Sequence, residues 1–491
     1  MTARDETFYR RAVKLLSFGF FGVFGGFQAA QGLQSSLNAE LGELNLACLY
    51  GTFTVLCLVV PPVLSHLERW LGMQWLLALC SAAYAAMALS NVIKVPATPS
   101  PMWAVTVSFN VLVGVAAPLL WTSQNTYLSR CALHAAALSQ EAAGIVTTRY
   151  NSLFFSIYQF AGMFGNILAS VILVAFGTIP MAKDILFFAL TLCCLMGASV
   201  FLAMPTVVHD LGDEEKLPRI ADTGRLAFTD AKISLMIPFM ITNGMCLAFF
   251  LGDFQTDVTC PVAGPAYTGF VIAAFYGVNA LSSAAWGFLI TRKWLSRRTV
   301  FILATVFVAS FLLMKQLWTV PQNFHLIPGS TTWQKAATPD WKAILAVFAM
   351  ASAFACGDSF CEAGPAMTLQ TFYASSDLMA DVESSETGTF EVQTDMAAAA
   401  FGCSQAYHAV EFDSTRPACS SKAMANYKLW QSLGFAAGFF IAIPLKEFPA
   451  VRGAILVSLS VLSLLSVLLL DRYISPVDGL RDTEPCQVLN G

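Results

Sequence analysis

The sequence predicts an all-α polytopic membrane protein with twelve transmembrane helices. Hydrophobic residues make up 56% of its 491 residues, and charged residues make up only 12%. A soluble globular chain carries about 25% charged residues. The apolar residues gather in runs of about 20, which is the length at which an α-helix spans a bilayer. We therefore expect an integral protein that is surrounded by the lipid bilayer.

Twelve apolar runs define the predicted spans. The first run is long and lacks a small-residue cleavage site, so we expect an uncleaved signal anchor. Such bounds are good to a few residues. The predicted spans are 15–37, 45–65, 74–93, 102–127, 151–177, 185–205, 234–252, 267–290, 299–318, 342–366, 424–444 and 451–470.

Two polar interruptions organise the chain. The first, 206–233, contains "HDLGDEEKLPR" and separates an N-terminal six-helix half (1–205) from a C-terminal six-helix half (234–470). The second, 374–423, is acidic and rich in small residues, a composition typical of a disordered loop. Residues 471–491 form a polar tail.

The basic residues predict the orientation in the membrane. Lys and Arg concentrate in the N-terminal segment, in the central linker and in "RKWLSRR" at 292–298. Cytoplasmic loops carry an excess of Lys and Arg. We therefore expect both termini, the central linker and the 374–423 loop in the cytoplasm, in either the plasma membrane or an endomembrane.

Weak internal similarity links the two halves. "HLERWLG" after the second span corresponds to "TRKWLSR" after the eighth. "YQFAG" in the fifth span corresponds to "WQSLG" in the eleventh and places Gln159 and Gln431 at matching sites. These matches predict two six-helix pseudo-repeats, which is the architecture of major facilitator transporters. In such proteins the substrate site lies near the midplane between the halves.

Amide side chains recur inside the predicted spans, where each needs a hydrogen-bonding partner or a water-filled cavity. In the first span Gln28, Gln31 and Gln34 recur every three residues, with small residues between them. The stripe is either hydrogen-bonded packing between helices or one wall of a cavity. The same two interpretations apply to amides of later spans: Gln124, Asn125, Gln159, Asn166 and Gln431.

The tenth span carries two carboxylates in "ACGDSFCEAG", Asp358 and Glu362. Residues four apart lie on the same side of a helix. Ionisable residues inside a membrane are functional candidates by default. Two neighbouring carboxylates repel each other, and such a pair suits a proton or cation relay. Alternatively, the span ends near Cys361, ahead of Pro365, and leaves Glu362 at the cytoplasmic interface.

Two further charged residues lie near predicted span ends. Lys428, in "NYKLWQSLG", is either a counter-charge to these acids or an interface lysine whose ammonium snorkels to water. Asp253, in "FFLGDFQTD", is either a gate residue or a helix-end acid.

No signature of an enzyme is present. The sequence has no nucleophile–base pair, metal-ligand set or phosphate loop at a recognisable spacing. Most of the 13 cysteines lie in apolar runs, where cysteine behaves as a small hydrophobe. The five histidines are too scattered for a cluster. We predict no metal site, no cofactor, no nucleic-acid partner and no enzymatic activity.

Six stretches together resemble one family. They are "QGLQSSLN" (31–38), "GVAAPLLWTSQNTYLS" (114–129), "IYQFAGMFGNILAS" (157–170), "LGDF" (251–254), "CGDS" (356–359) and "YKLWQSLG" (427–434). In this order and spacing they resemble the Unc-ninety-three-like ion-channel regulatory proteins, a branch of the major facilitator superfamily. The resemblance implies a twelve-helix transporter fold. It also implies one of three roles: regulation of potassium-channel activity, escort of a receptor, or transport.

The loop motif of the superfamily is only partly present. The motif runs Gly, two residues on Leu, then Ala-Asp-Arg and Gly-Arg, and it helps to time the change between open states. The first copy keeps Arg69 and Gly72 but has Glu68 at the aspartate position. The second copy keeps Gly287 and Arg292. We treat these residues as gating candidates.

Two functional hypotheses follow. In the first, the protein carries a small solute, a monovalent cation or a proton, with Asp358 as the charged element of a midplane cavity. In the second, it is a non-transporting partner of a channel or receptor. Amides that pair across tightly packed helices would favour the second. The first would be favoured if one cavity held Gln31, Gln34, Gln124, Gln159, Asp358 and Gln431.

Overall fold

The computed structural model is almost entirely helical. It describes residues 5–37, 39–92, 99–141, 143–176, 181–207, 220–264, 267–326, 333–386, 419–442, 445 and 448–478. The first helices are α1 Glu6–Leu37, α2 Ala39–Cys57, α3 Val60–Leu71, α4 Met73–Ser90, α5 Pro99–Ser139, α6 Ala143–Phe176, α7 Ala182–Leu202 and α8 Ile220–Thr229. The others are α9 Ala231–Leu251, α10 Cys260–Ala263, α11 Thr268–Thr291, α12 Arg297–Leu317, α13 Trp341–Glu386, α14 Cys419–Ala442 and α15 Pro449–Asp478.

Ten of the described helical segments are long and apolar enough to cross a membrane, and the bent pair α2–α3 would make eleven. The helix α14 occupies the predicted span 424–444 but is not among them. The polytopic membrane fold is confirmed, whereas the count of twelve spans is not reproduced by length and composition alone. The division into two six-helix halves stays a prediction.

The second predicted span is not one straight helix. The segments 45–57 and 60–71 meet at an angle of 82°. Pro61 and Pro62 lie in the first turn of the second segment, and proline supplies no N–H for the hydrogen bonds that would continue α2. The helix α3 therefore turns away from α2 and ends at Leu71, and the following Gly72, whose φ is 79°, links it to α4.

The prediction of disorder over all of 374–423 is wrong at its two ends. The helix α13 continues without a break through Pro365 to Glu386, and α14 begins at Cys419. Residues 387–418 lie outside the described part of the chain. Glu362 lies near the middle of this 46-residue helix and not at a helix end, and the alternative that the membrane span ends near Cys361 stays a prediction.

Glycines allow two pairs of helices to pack backbone against backbone. A Cβ on Gly165 of α6 would overlap the carbonyl oxygen of Gly25 in α1. A Cβ on Gly434 of α14 would overlap the backbone of Ile241 in α9. Small residues at a membrane helix interface permit such close approach. The pairs α1–α6 and α9–α14 are thus held at a fixed short spacing.

Two further helix pairs enclose the centre of the molecule. The helix α6 packs against α11, and α2 packs against α14. The rings of Tyr50 in α2 and Phe435 in α14 stack with centroids 4.5 Å apart. Away from the centre, β1 Phe324–Leu326 and β2 Trp333–Lys335 form a hairpin between α12 and α13. Asn323 ties the hairpin to α10 by donating to the carbonyl of Val262 at 3.0 Å.

We expect Gly165→Ala to lower the free energy of unfolding by about 1–3 kcal/mol, the usual range for overpacking. The new methyl group would meet backbone of α1, which cannot rotate aside. The matched control is Gly51→Ala, because a Cβ on Gly51 of α2 meets no atom of the described residues within 4 Å. Thermal unfolding in detergent measures both variants, and equal losses of melting temperature would contradict the packing argument.

Candidate functional site

A central cavity lies among α1, α2, α4, α5, α6, α9, α11, α13 and α14. Its volume is about 730 Å³, including the part that is open to solvent. Much of its wall is aromatic: Phe24, Phe27, Tyr50, Phe53, Tyr84, Trp121, Tyr158, Phe275, Tyr276 and Phe435. Its polar wall includes Gln31, Gln159, Asp358, Glu362, Lys428, Gln431 and Ser432.

Asp358 of α13 is buried and is held by two amides. Asn243 of α9 donates to Oδ1 at 2.7 Å, and Asn279 of α11 donates to Oδ2 at 2.9 Å. The residue is 1% exposed. Three helices therefore fix the position and direction of the carboxylate. An ionised acid in such surroundings is costly unless it is hydrogen-bonded and compensated by an opposite charge.

The hydrogen-bonded chain continues from Asp358 to a lysine. Gln431 of α14 donates to Oδ1 of Asn243 at 2.7 Å. Lys428, one turn earlier on the same helix, donates to Oε1 of Gln431 at 2.8 Å. The ammonium of Lys428 is thus connected to the carboxylate of Asp358 through two neutral amides.

Lys428 faces the cavity and does not snorkel. It is 3% exposed, and its Nζ lies 3.9 Å from the centre of the Trp121 ring. A cation over an aromatic face is attracted by the ring quadrupole. The interpretation of Lys428 as an interface lysine is therefore wrong. Its ammonium interacts electrostatically with the carboxylate of Glu362, which lines the same cavity.

Glu362 also belongs to the cavity wall. Gln159 of α6 donates to its Oε2, and the Tyr427 hydroxyl donates to its backbone carbonyl at 2.7 Å. Glu362 is 7% exposed, so its side chain is enclosed by the protein. The cavity wall thus holds two carboxylates on one side of α13 and one ammonium on α14.

The glutamines of α1 do not all line the cavity. Gln31 lines the cavity and donates to the Tyr50 hydroxyl at 3.0 Å. Gln28 lies outside the cavity wall and donates to the Tyr158 hydroxyl at 3.1 Å. The side chain of Gln34 lies outside the described residues.

Three other predicted amides do not line the cavity. Asn125 donates to the carbonyl of Trp121 at 2.9 Å, and its own two carbonyl oxygens lie 3.3 Å from Nε2 of Gln370. Asn166 donates to the carbonyl of Gly162 at 2.8 Å. Gln124 is fully buried elsewhere, and its side-chain polar atoms have no partner among the described residues. The surroundings of Asn125 and Asn166 fit helix packing better than solute binding, whereas the unpartnered amide of Gln124 is not explained by helix packing.

The loop-motif residues lie at the α3–α4 and α11–α12 connections. Glu68 forms an ion pair with Arg130 of α5, whereas Arg69 is exposed and donates to the carbonyl of Ser65. Gly287 of α11 faces Ser152 of α6 at a distance that leaves no room for a Cβ. The guanidinium of Arg292 lies 5.4 Å from the Phe288 ring centre. The gating role of these residues stays a prediction.

Asp253 is neither free nor isolated. It forms an ion pair with Arg452 of α15, and Arg452 also contacts Asp257 at 2.9 Å. Asp257 lies in a π-helical turn, Gln255–Thr259, that follows α9. Such turns are frequent at functional sites. The ion pair joins the end of α9 to the start of α15.

Three hydrogen-bonding or ion-pair partners of Asp358 and Asp253 were not predicted from the sequence. Asn243 and Asn279 are single amides in strongly apolar spans, which is the same signal that identified the other amides. Arg452 starts the last span, where a basic residue is ordinary, so no local pattern indicates its pairing with Asp253. Within the described ranges no group of three or more His, Cys, Asp or Glu side chains could hold a metal ion.

The fold is that of a polytopic membrane protein, and a solved transporter structure shares it. The structure is similar to that of a variant of the nucleoside transporter NupG, with a TM-score of 0.54 and 12% identity. The likeness covers 94% of this chain and 99% of that chain. At this identity it shows the fold alone.

The family comparison is more specific. The family model described as ion channel regulatory protein UNC-93 matches residues 34–263. Protein unc-93 homolog A of Bos taurus is 28% identical over 348 residues, covering 62% of this chain and 73% of the relative. Protein unc-93 homolog A of Danio rerio is 24% identical over 495 residues, covering 93% and 89%. These matches confirm the predicted resemblance: this polytopic membrane protein is similar to the UNC-93 proteins, over residues 34–263 for the family model and over 93% of the chain for the relative of Danio rerio.

We expect Arg452→Gln to destabilise the protein by about 3 kcal/mol, because breaking a buried ion pair leaves the Asp253 carboxylate uncompensated. The control is Arg149→Gln, whose pair with Glu141 is exposed and contributes about 0–1 kcal/mol. Thermal unfolding measures both. The double variant Asp253→Asn, Arg452→Gln should recover part of the lost stability, because it leaves no uncompensated carboxylate at residue 253. A double variant as unstable as Arg452→Gln would contradict the stabilising role of this ion pair.

Proposed function

We propose that this protein is a carrier that moves a small solute or a monovalent cation through the central cavity. One observation supports it above others: Gln31, Gln159, Asp358 and Gln431, which come from four helices far apart in sequence, line one cavity. A scaffold would be favoured if the amides paired across tightly packed helices and left no cavity. A cavity is present between these helices. The proposal involves no covalent step.

The cavity chemistry suggests the class of solute. Asp358, Glu362 and Lys428 supply both signs of charge within a wall that is otherwise largely aromatic. Pockets of this kind hold an apolar body against rings and fix its orientation through a few polar groups. The composition therefore favours a small organic solute that carries an ionisable group on an apolar or aromatic body. A cationic group would also be attracted by the ring faces.

The helix arrangement suggests how access could change. Lining residues come from α1, α2, α4, α5 and α6 of the predicted N-terminal half, and from α9, α11, α13 and α14 of the other. In major facilitator proteins the two halves rock around a site at their interface. Here the seams α6–α11 and α2–α14 are the places where such a motion would occur.

A regulatory role is the second candidate, because the matching family model is described as an ion channel regulatory protein. In that case the protein would act on a co-expressed potassium channel or escort a receptor without moving a solute itself. The variant Asp358→Asn distinguishes the two candidate functions. A scaffold should alter the channel current equally as wild-type protein and as Asp358→Asn, because the cavity is not used.

We expect Asp358→Asn to abolish ion or solute movement while keeping the fold. Asparagine keeps the size and loses the charge, and the Asn279 amide, whose Oδ1 has no partner among the described residues, can turn to accept from the new Nδ2. The measurement is rubidium and proton flux in liposomes that contain the purified full chain. Uptake of neutral, cationic and zwitterionic aromatic solutes is measured in parallel. The matched control is Asp340→Asn, which makes the same change at an exposed residue before α13.

The outcomes are distinct. Flux that is lost in Asp358→Asn but kept in Asp340→Asn, with equal melting temperatures, supports a carrier with Asp358 in its path. Wild-type protein that moves neither ion nor any solute of the set overturns the proposal. Equal flux in wild type and Asp358→Asn would remove Asp358 from the mechanism.

A further inference from the structure

A cluster of three buried amides lies just beyond the central cavity. The amide cluster consists of Asn125 on α5, Asn151 on α6 and Gln370 on α13. Each amide continues a row of residues, spaced by four, that begins in the cavity wall, and residues four apart lie on the same side of a helix. The rows are Trp121 and Asn125; Gln159, Phe155 and Asn151; and Glu362, Ala366 and Gln370. The amide cluster therefore lies at one end of the cavity, on the helix faces that form its wall.

The amide cluster connects helices of the two predicted halves. Asn151 donates to Oε1 of Gln370, and Gln370 donates to both carbonyl oxygens of Asn125 at 3.3 Å. Each of the three residues is at most 1% exposed. Gln370 thus bonds α13 to α5 and to α6, which belong to the other predicted half.

Apolar side chains fill the space between the cavity and the amide cluster. Phe155 and Ala366, the middle members of two rows, are buried and do not line the cavity. In this structure the cavity is therefore shut at this end, first by apolar contacts and then by the hydrogen-bonded amides.

Polar atoms without partners lie beside the amide cluster. Gln124 is fully buried, three residues after Trp121 and next to Asn125 on α5. Neither its Oε1 nor its Nε2 has a hydrogen-bond partner among the described residues, and neither does Oδ1 of Asn151. A buried polar atom without a partner raises the free energy of the arrangement that contains it. Helix packing does not explain these atoms, whereas a second arrangement in which water reaches them would.

We propose that the amide cluster is a gate, and that α13 separates from α5 and α6 there to open a water-filled route to the central cavity. Hydrogen bonds between neutral groups contribute less than bonds to charged groups, so three of them suit a reversible closure. In the open arrangement water would satisfy the separated amides and Gln124. The inference deepens the proposed function, because it names the route by which a solute would reach the cavity from this end. It rests on the proposed function for the solute alone, since opening can be measured without transport.

Neighbouring contacts indicate which edge would stay closed. Ser152 of α6 meets Gly287 of α11 at a distance that leaves no room for a Cβ. Arg297 of α12 donates to the carbonyl of Gly144 at 3.0 Å and to the hydroxyl of Thr148 at 3.1 Å. These contacts attach one side of α6 to α11 and α12. The opening would therefore be a turn about this edge that moves α13 away from α5 and α6.

The test is the reactivity of a cysteine placed at the gate. Gln124→Cys introduces a smaller side chain at a buried position and breaks no hydrogen bond to the described residues. A sulfonated maleimide, which is too polar to enter the apolar core, labels this thiol when water reaches it. The rate is measured on the detergent-purified full chain by mass spectrometry of the tryptic peptide 95–130, which contains no native cysteine.

We expect Gln370→Leu to raise the labelling rate at residue 124 at least about tenfold. The closed arrangement then loses the hydrogen bonds of Gln370, whereas the open arrangement loses none. The matched control is Gln28→Leu, which removes a buried glutamine whose bond to the Tyr158 hydroxyl joins α1 and α6 of the same predicted half. Native Cys80 in α4 is the internal standard, because it is buried and does not line the cavity.

Each outcome decides the inference. Faster labelling at residue 124 in Gln370→Leu but not in Gln28→Leu, with the rate at Cys80 unchanged, supports the gate. Equal rates at residue 124 in the two variants overturn it. A rise at both residue 124 and Cys80 also overturns it, because the whole protein has then loosened. Wild-type protein without flux would overturn the proposed function alone, and flux with labelling that does not respond to Gln370→Leu would overturn this inference alone.

Discussion

The architecture depends on placing one buried carboxylate where three helices can hold it. Asp358 of α13 accepts hydrogen bonds from Asn243 of α9 and Asn279 of α11, so these helices must keep their rotation about their own axes. A rotation of any one of them would leave an acid or an amide in hydrocarbon without a partner, which costs several kcal/mol. Hydrophobic contacts between lipid-like side chains cannot specify orientation in this way, because lipid tails are as apolar as leucine.

The need to hydrogen-bond buried polar groups also connects distant parts of the chain at the central cavity. The amide of Asn243 accepts a hydrogen bond from Gln431 of α14, which in turn accepts one from Lys428, so the acid and the base are coupled without touching each other. Glu362 is held separately by Gln159 of α6. The cavity is therefore lined by charges that belong to two hydrogen-bonded groups. This arrangement fits a site in which a ligand completes the charge balance.

Much of the fold could be predicted from the sequence, and much of the site could not. Runs of apolar residues locate the spans because crossing the bilayer requires about 20 of them in a row. Averaging over such a run hides Pro61 and Pro62, whose missing N–H groups break the second span. The importance of Asp358 follows from the cost of a membrane carboxylate, whereas its partners depend on how α9 and α11 pack. The composition of 374–386 predicted a disordered loop, whereas these polar residues continue the helix α13.

The glycine contacts give the molecule uneven stiffness. Between α1 and α6, and between α9 and α14, backbone meets backbone, and neither side can yield by changing a rotamer. Between α6 and α11 the contact varies along the seam. Gly277 meets the thioether of Met163, which can reorient at little cost, whereas Gly287 meets the Cβ of Ser152, which moves only with its backbone. The α6–α11 seam can therefore yield near Gly277, next to the cavity-lining Tyr276, while its end at Gly287 and the two glycine pairs keep their spacing.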